Sequence, residues 1–202
     1  MTIFLSLVML SIREPRTAAA QIIGLGLPRG AIWSALVLFA AINAIITTLP
    51  MALSPIAPAD VPEGMEQLVR LLQSPLVLFV LLAGFLVVMV HALTWTGRAL
   101  GGTGGLDEMA AAFAWLQALR AIAQVVLLIL ASLIPGIAGL VGLAIFVLGI
   151  WIMMNFVAEA QNFDSPWQAF GVLMTVFVGL MIGLMLLLTL TGTAATFGAG
   201  NV

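Results

Sequence analysis

Residues 75–95, PLVLFVLLAGFLVVMVHALTW, run without a single Asp, Glu, Lys or Arg. At about 1.5 Å of rise per residue, a helix of that length covers about 30 Å, the thickness of a bilayer's hydrocarbon core. A charged side chain at the bilayer centre costs about 2.5–3.5 kcal/mol, so a run this long and this free of charge reads as a membrane span. Pro75 opens it at a position where the missing N–H is no loss. Working outward, the same pattern recurs at 31–49, 109–133, 138–158 and 167–190, and Arg120 is the one charge inside these runs. Pro50 ends the first run, and four prolines between Pro50 and Pro62 are expected to stop helix from continuing through the connection. Pro135 with Gly136 marks a tight turn between the third and fourth runs, and NFDSPW at 162–167 breaks the fourth from the fifth. The expected fold is all-α: a polytopic membrane bundle of five transmembrane helices, preceded by an N-terminal interfacial amphipathic helix.

Composition narrows the function classes. With 63% hydrophobic residues, 7% charged and a mean hydropathy of +1.27, the chain is far from the roughly 25% charged usage of soluble domains. The chain of 202 residues divides into an interfacial segment 1–30, a five-helix domain 31–190 and a flexible tail 191–202. It has no cysteine and one histidine, His91, which excludes disulfides and thiolate chemistry and leaves no metal-ligand cluster; no cofactor or metal is expected. All six cations are arginine, they are dispersed, and the net charge is −2, so nucleic acid is not an expected partner. The apolar start MTIFLSLVML is followed by Arg13, Glu14 and Arg16, the reverse of a secretory signal. Ten apolar residues are too few to span, and Pro15 interrupts the adjoining stretch. Residues 2–27 therefore read as a retained surface helix pair broken near Pro15.

Arginine bias orients the spans. With the N-terminus in the cytoplasm, Arg13, Arg16, Arg29 and Arg98 lie inside, and the outer connection carries Arg70 alone. This predicts a multi-pass inner-membrane protein with its C-terminus in the periplasm. Polar residues within or beside the spans are then the candidate site. Gln117, Arg120 and Gln124 share one helical face at i, i+3 and i+7, and Asn155, Glu159 and Asn162 repeat the spacing at i, i+4 and i+7. Glu159 is expected to pair with Arg120, or with Arg98 nearer the surface. Such a pair serves either as a bundle clamp or as a ligand, lipid or ion site.

His91, Trp95 and Arg98 align at the inner end of the second span; a proton relay is one reading, and an interfacial aromatic and arginine belt the other. The stretch GGTGG at 101–105 lacks the lysine of a phosphate-binding loop and reads as a flexible turn, with Asp107 and Glu108 in the first turn of the next helix. Gly179 and Gly183 form a GxxxG in the last span, and Gly136, Gly139 and Gly142 line the start of the fourth; both sets permit close helix contact within the bundle or between protomers.

The arm SIREPRTAA at 11–19, RALGGTG at 98–104, AWLQ at 114–117 and the five spans together resemble the bacterial branch of the Yip membrane-protein family, named for Ypt/Rab-interacting proteins. The resemblance runs from about residue 8 to residue 190. It implies a five-span fold with a cytosolic N-terminus. Eukaryotic relatives are implied to bind small GTPases and one another in Golgi and vesicle membranes, and the family supplies no catalytic residues. Only residues 1–30 precede the first span here, so the long cytosolic region used for GTPase contact is expected to be missing. The absence of lysine, cysteine and tyrosine points to a GC-rich bacterial gene. The functional expectation is a non-enzymatic membrane protein acting by helix contact with itself or with another integral membrane protein, in a setting of membrane lipids. The alternative is a small transporter or channel subunit with a polar site around Arg120 and Glu159.

Overall fold

The computed structural model describes residues 2–53 and 64–190, and all regular structure in them is helical. The helices are α1 (Thr2–Arg13), α2 (Pro15–Gly24), α3 (Arg29–Leu53), α4 (Glu66–Gln73), α5 (Pro75–Ala99), α6 (Leu106–Leu133), α7 (Pro135–Ala160) and α8 (Pro166–Leu190). Five of them, α3, α5, α6, α7 and α8, are long and apolar enough to cross a membrane. The protein is an integral membrane protein with a helical-bundle architecture.

The proline-marked breaks have clear physical causes. Glu14 takes a non-helical φ of −137°, because a residue followed by proline is pushed out of the α region, and Pro15 then starts α2. Pro75 and Pro135 open α5 and α7 in the same way, with Ser74 accepting from the Val77 N–H ahead of Pro75. Pro50 departs from expectation. Helix α3 carries it internally and runs on to Leu53, past the residue 49 at which the sequence reading ends the span. The stretch 50–74 also holds a helix, α4, whose residues are all solvent- or lipid-accessible and which packs at the start of α5. The proline-rich connection between Pro55 and Pro62 and the tail 191–202 lie outside the described residues.

Burial is uneven along the bundle. In α6, six consecutive residues from Met109 to Ala114 are buried on every side. Four of the six are alanine, so α2, α5 and α7 approach closely around that segment. Leu86, Val90 and Leu93 of α5, Met154, Phe156 and Val157 of α7, and Ala169, Val172 and Val176 of α8 complete this core. It lies in the half of the bundle that bears Arg16, Arg29 and Arg98. In the other half Val125, Val126, Ile129, Leu140, Leu143, Phe146 and Leu184 through Leu187 are exposed, as suits lipid-facing helix surface.

Helices α1 and α2 belong to the core half. Ala18, Ala19 and Ile22 of α2 are buried against α7 and α6. Ser11 of α1 is fully buried, accepts a hydrogen bond from Trp115 Nε1 at 2.9 Å and donates to the Leu7 carbonyl. Phe4 meets the Trp115 ring edge to face at 5.5 Å. The opposite face of α1 leaves Ile3, Leu5, Met9 and Ile12 exposed, the apolar side of an interfacial helix.

Candidate functional site

Two polar assemblies organise the bundle. The first is a clasp at its arginine-bearing end. Helix α7 closes through a left-handed Asn162, φ 55°, with Asn162 N–H donating to the Glu159 carbonyl and Phe163 N–H to the Ala158 carbonyl. This is the double bond pattern of a Schellman cap, with buried Phe163 as its apolar residue. The cap presents Gln161, fully buried, toward the loop that joins α5 to α6.

That loop is a fitted seat, which corrects the expectation of a flexible turn. Thr103 N–H donates to the Gln161 carbonyl at 2.9 Å, Asn162 Nδ2 donates to Thr103 Oγ1 at 3.0 Å, and Gln161 Nε2 donates to the Leu93 carbonyl at 3.4 Å. A methyl group at Gly97 would stand 2.5 Å from Gln161 Cδ, one at Gly102 2.5 Å from Gln161 Oε1, and one at Gly104 would overlap the Ala160 carbonyl oxygen. The glycines at 97, 102 and 104 are therefore required by close approach, and Gly101 by its φ of +96°. At Gly105 a methyl group would meet only the tip of the exposed Glu108 side chain, which can move aside.

Arg98 does not meet Glu159; its Nε donates to the Gly104 carbonyl at 2.9 Å and secures the same loop. Glu159 pairs instead with Arg16, whose Nε lies 2.9 Å from Oε2. The same guanidinium donates to the Asp164 carbonyl at 3.0 Å and to the Phe163 carbonyl. One side chain of α2 thus ties the C-terminal cap of α7 to the start of α8. The reason the sequence reading chose another partner is geometric: it assigned 1–30 to the membrane surface, whereas α2 packs directly on α7. Arg29 and Asp107 approach to 3.4 Å at the amino ends of α3 and α6, with both side chains largely exposed.

These contacts set the expected effects of substitution. Arg16→Ala is expected to cost about 1–2 kcal/mol, a value discounted because its side chain is 40% exposed. Glu159→Ala is expected to cost less, since Arg16 keeps two carbonyl acceptors, and Asp164→Ala to change little, because only its backbone carbonyl takes part. Thermal unfolding in detergent of the three variants, and of Arg16→Ala with Glu159→Ala, checks this: the double variant should lose less than the two singles together. Strict additivity would show the pair to be without energetic weight.

The second assembly is a seam between α3 and α6, which run parallel. Asn43, 1% exposed, donates from Nδ2 to the Gln117 carbonyl at 3.1 Å and approaches Gln117 Oε1 at 3.4 Å; one to two turns on, Gln124 Nε2 donates to Thr47 Oγ1 at 3.3 Å. Asn43 Oδ1 and Gln124 Oε1 are buried acceptors with no donor among the described residues. The α6 stripe thus faces α3, in place of the Asn155 and Glu159 stripe of α7. Asn155 is buried and bonds within its own helix, to the Trp151 carbonyl. Arg120 is exposed beside the seam and makes no hydrogen bond or ion pair with any described residue.

His91 Nδ1 donates to the Val87 carbonyl at 2.7 Å, and its ring sits between Trp33 and Trp95 at 6.1 and 6.0 Å. Next to Trp33, a crevice of about 170 Å³ between α3 and α5 is lined by Leu36, Val37, Ala83, Gly84, Leu86 and Val87. Its wholly apolar lining offers nothing to fix a polar substrate. Gly179 and Gly183 face open space among the described residues: beyond the backbone of α8 itself, a methyl group at either would meet nothing within 4 Å. They make no close helix contact within the bundle.

A family model, that of the Yip1 domain, matches residues 9–188. The chain belongs to the Yip1 domain family. No curated protein and no solved structure matches it. The Yip1 match begins inside α1 and ends in the last turn of α8. It therefore takes in the α2 arm with Arg16, the glycine seat and the Gln161 cap, as well as all five membrane helices. The sequence marks Arg16 only as part of the arginine bias and does not single out Gln161 or Asn43 as site residues. The signals that could have found them are the QN–F cap pattern after a long helix and the spacing of four glycines, which needs something large to seat.

Proposed function

We propose that this Yip1 domain protein is a non-enzymatic, bacterial inner-membrane protein that works by helix-mediated contact with another integral membrane protein or with itself, in membrane organisation or complex assembly. Its N-terminus faces the cytoplasm and its C-terminus the periplasm, in keeping with the arginines at 13, 16, 29 and 98 on one end of the bundle. The observation that carries this reading is where the polar groups go. Glu159 is engaged by Arg16, Arg98 by the Gly104 carbonyl and Asn43 by Gln117, so these groups hold helices together instead of lining a path. The membrane faces of α7 and α8 are left apolar, with Gly179 and Gly183 unfilled on α8, a surface suited to close approach by a second helix. The transport alternative needs Arg120 and Glu159 on one route, and Glu159 is taken up at the bundle end.

The test is affinity purification of tagged protein from native membranes in mild detergent, with mass spectrometry of what co-elutes in stoichiometric amount. A specific membrane protein, or a second copy, is expected, and Gly179→Leu with Gly183→Leu is expected to release it while leaving the monomer folded. Elution alone, with solute flux in proteoliposomes that Arg120→Leu and Glu159→Leu abolish, would replace this reading by the transport one.

A further inference from the structure

Arg120 is the one charged residue inside the five apolar runs, and it is exposed with no hydrogen-bond or ion-pair partner among the described residues. An arginine stays charged in lipid, so its guanidinium requires an anion or a retreat to the interface. The chain does not provide the anion. None of its eight acidic residues falls within 31–49, 75–95, 109–133, 138–158 or 167–190. Gln124 Oε1, one turn further along α6, is a buried acceptor without a donor, yet the guanidinium does not turn back to it.

Depth identifies the counter-ion. Helix α6 ends at Leu133 in a turn of Ile134, Pro135 and Gly136 that carries no polar side chain and so sits at the hydrocarbon boundary. Twenty or so residues back, at about 1.5 Å each, the opposite boundary of a core of about 30 Å falls near Phe113. The Arg120 backbone is then about 10 Å inside that boundary. Side chains on a helix lean toward its amino end, here toward the arginine-bearing side, and arginine extends its charge along an apolar stem. The guanidinium is thereby brought up beneath the phosphate layer of the nearer leaflet.

We propose that Arg120 binds the phosphate of a membrane phospholipid drawn toward the α3–α6 seam on the arginine-bearing side. A planar guanidinium donates to two phosphate oxygens at once, and Gln117 and Gln124, held inward by Asn43 and Thr47, leave that fork free to face the lipid.

The experiment uses the full chain purified in dodecyl maltoside, an amphiphile without phosphate, and follows thermal unfolding by tryptophan fluorescence as dioleoylphosphatidylglycerol, dioleoylphosphatidylcholine, dioleoylglycerol or inorganic phosphate is added. Both phospholipids are expected to raise the unfolding temperature, and dioleoylglycerol and inorganic phosphate to leave it in place. In Arg120→Leu and Arg120→Gln the phospholipid rise should fall to the dioleoylglycerol level, in Arg120→Lys part of it should remain, and in Arg13→Leu, which removes a surface charge, it should persist. Native mass spectrometry of the wild type should retain at least one phospholipid, displaced at lower collision energy in Arg120→Gln. In lipid-free detergent Arg120→Leu is expected to unfold no earlier than wild type. An undiminished phospholipid rise in Arg120→Gln overturns the proposal. So does a rise with inorganic phosphate alone, or destabilisation of lipid-free Arg120→Leu, which would make the residue an internal clamp.

Discussion

Gly104→Ala is expected to part the α5–α6 loop from the end of α7 and to lower stability by about 2–4 kcal/mol, the largest loss expected for alanine at any described glycine. The added carbon overlaps the Ala160 carbonyl oxygen, a backbone atom that cannot rotate away. Relief therefore requires the loop and the end of α7 to separate. That separation breaks the Thr103 N–H bond to the Gln161 carbonyl and removes the Gly104 carbonyl from Arg98. Gly101→Ala is the control. Its position is strained only by a φ of +96°, with open space around it, so a loss of about 1 kcal/mol is expected. Gly139→Ala, in a helix with nothing near it, should be neutral or mildly stabilising. Tryptophan-monitored thermal unfolding in one detergent ranks the three. A Gly104→Ala protein as stable as Gly139→Ala would mean that the loop does not hold α7.

Removing the side chain that fills the seat is expected to have the next largest effect, and to do so in a way a second substitution reverses. Gln161→Ala takes a fully buried side chain out of a cradle of glycines and leaves the Leu93 carbonyl without that donor, at a cost of about 2–3 kcal/mol. Gly97→Ala alone is also expected to destabilise, because the three atoms nearest its new carbon, at 2.5 to 2.9 Å, all belong to Gln161. In the Gln161→Ala background those atoms are gone, so Gly97→Ala should become harmless or restore part of the lost stability. The double-mutant cycle is thus expected to show a favourable coupling of about 1–2 kcal/mol. Additive losses would mean that Gly97 is needed for its backbone and not for the space it leaves.

These two predictions concern a part of the molecule that was visible in the sequence only as an oddity. Four glycines in five residues are plain to read, and a turn is the ordinary inference from them. Gly102, with Gly97 before the run, seats the side chain at 161, and Gly104 lies against the Ala160 carbonyl, some sixty residues away, a distance no local pattern announces. The same holds for Arg16 and Glu159: Glu159 is legible as a charge in need of a partner, Arg16 only as part of the arginine bias, and their pairing depends on α2 lying on α7. Gln117 and Gln124 of the α6 stripe turn toward α3, while Arg120 is left exposed beside them. The sequence reading points these residues to Asn155 and Glu159 of α7, and packing instead selects α3 through Asn43 and Thr47.

The sequence by itself determined that this protein lies in a membrane, that it crosses it with five helices, and where four of those helices begin or end at a proline. Those properties are set one segment at a time, by the cost of charge in hydrocarbon and by the missing N–H and fixed φ of proline, so no knowledge of neighbours is needed. Only the tertiary structure decided that α2 is pinned to the α7 cap by Arg16, that the glycine loop is the receptacle for Gln161, that α3 continues through Pro50, and that Arg120 is left exposed with no partner among the described residues. Each of these depends on which surfaces come together, and among apolar helices of similar composition that is decided by the fit of small residues and a few hydrogen bonds, which a linear pattern does not encode.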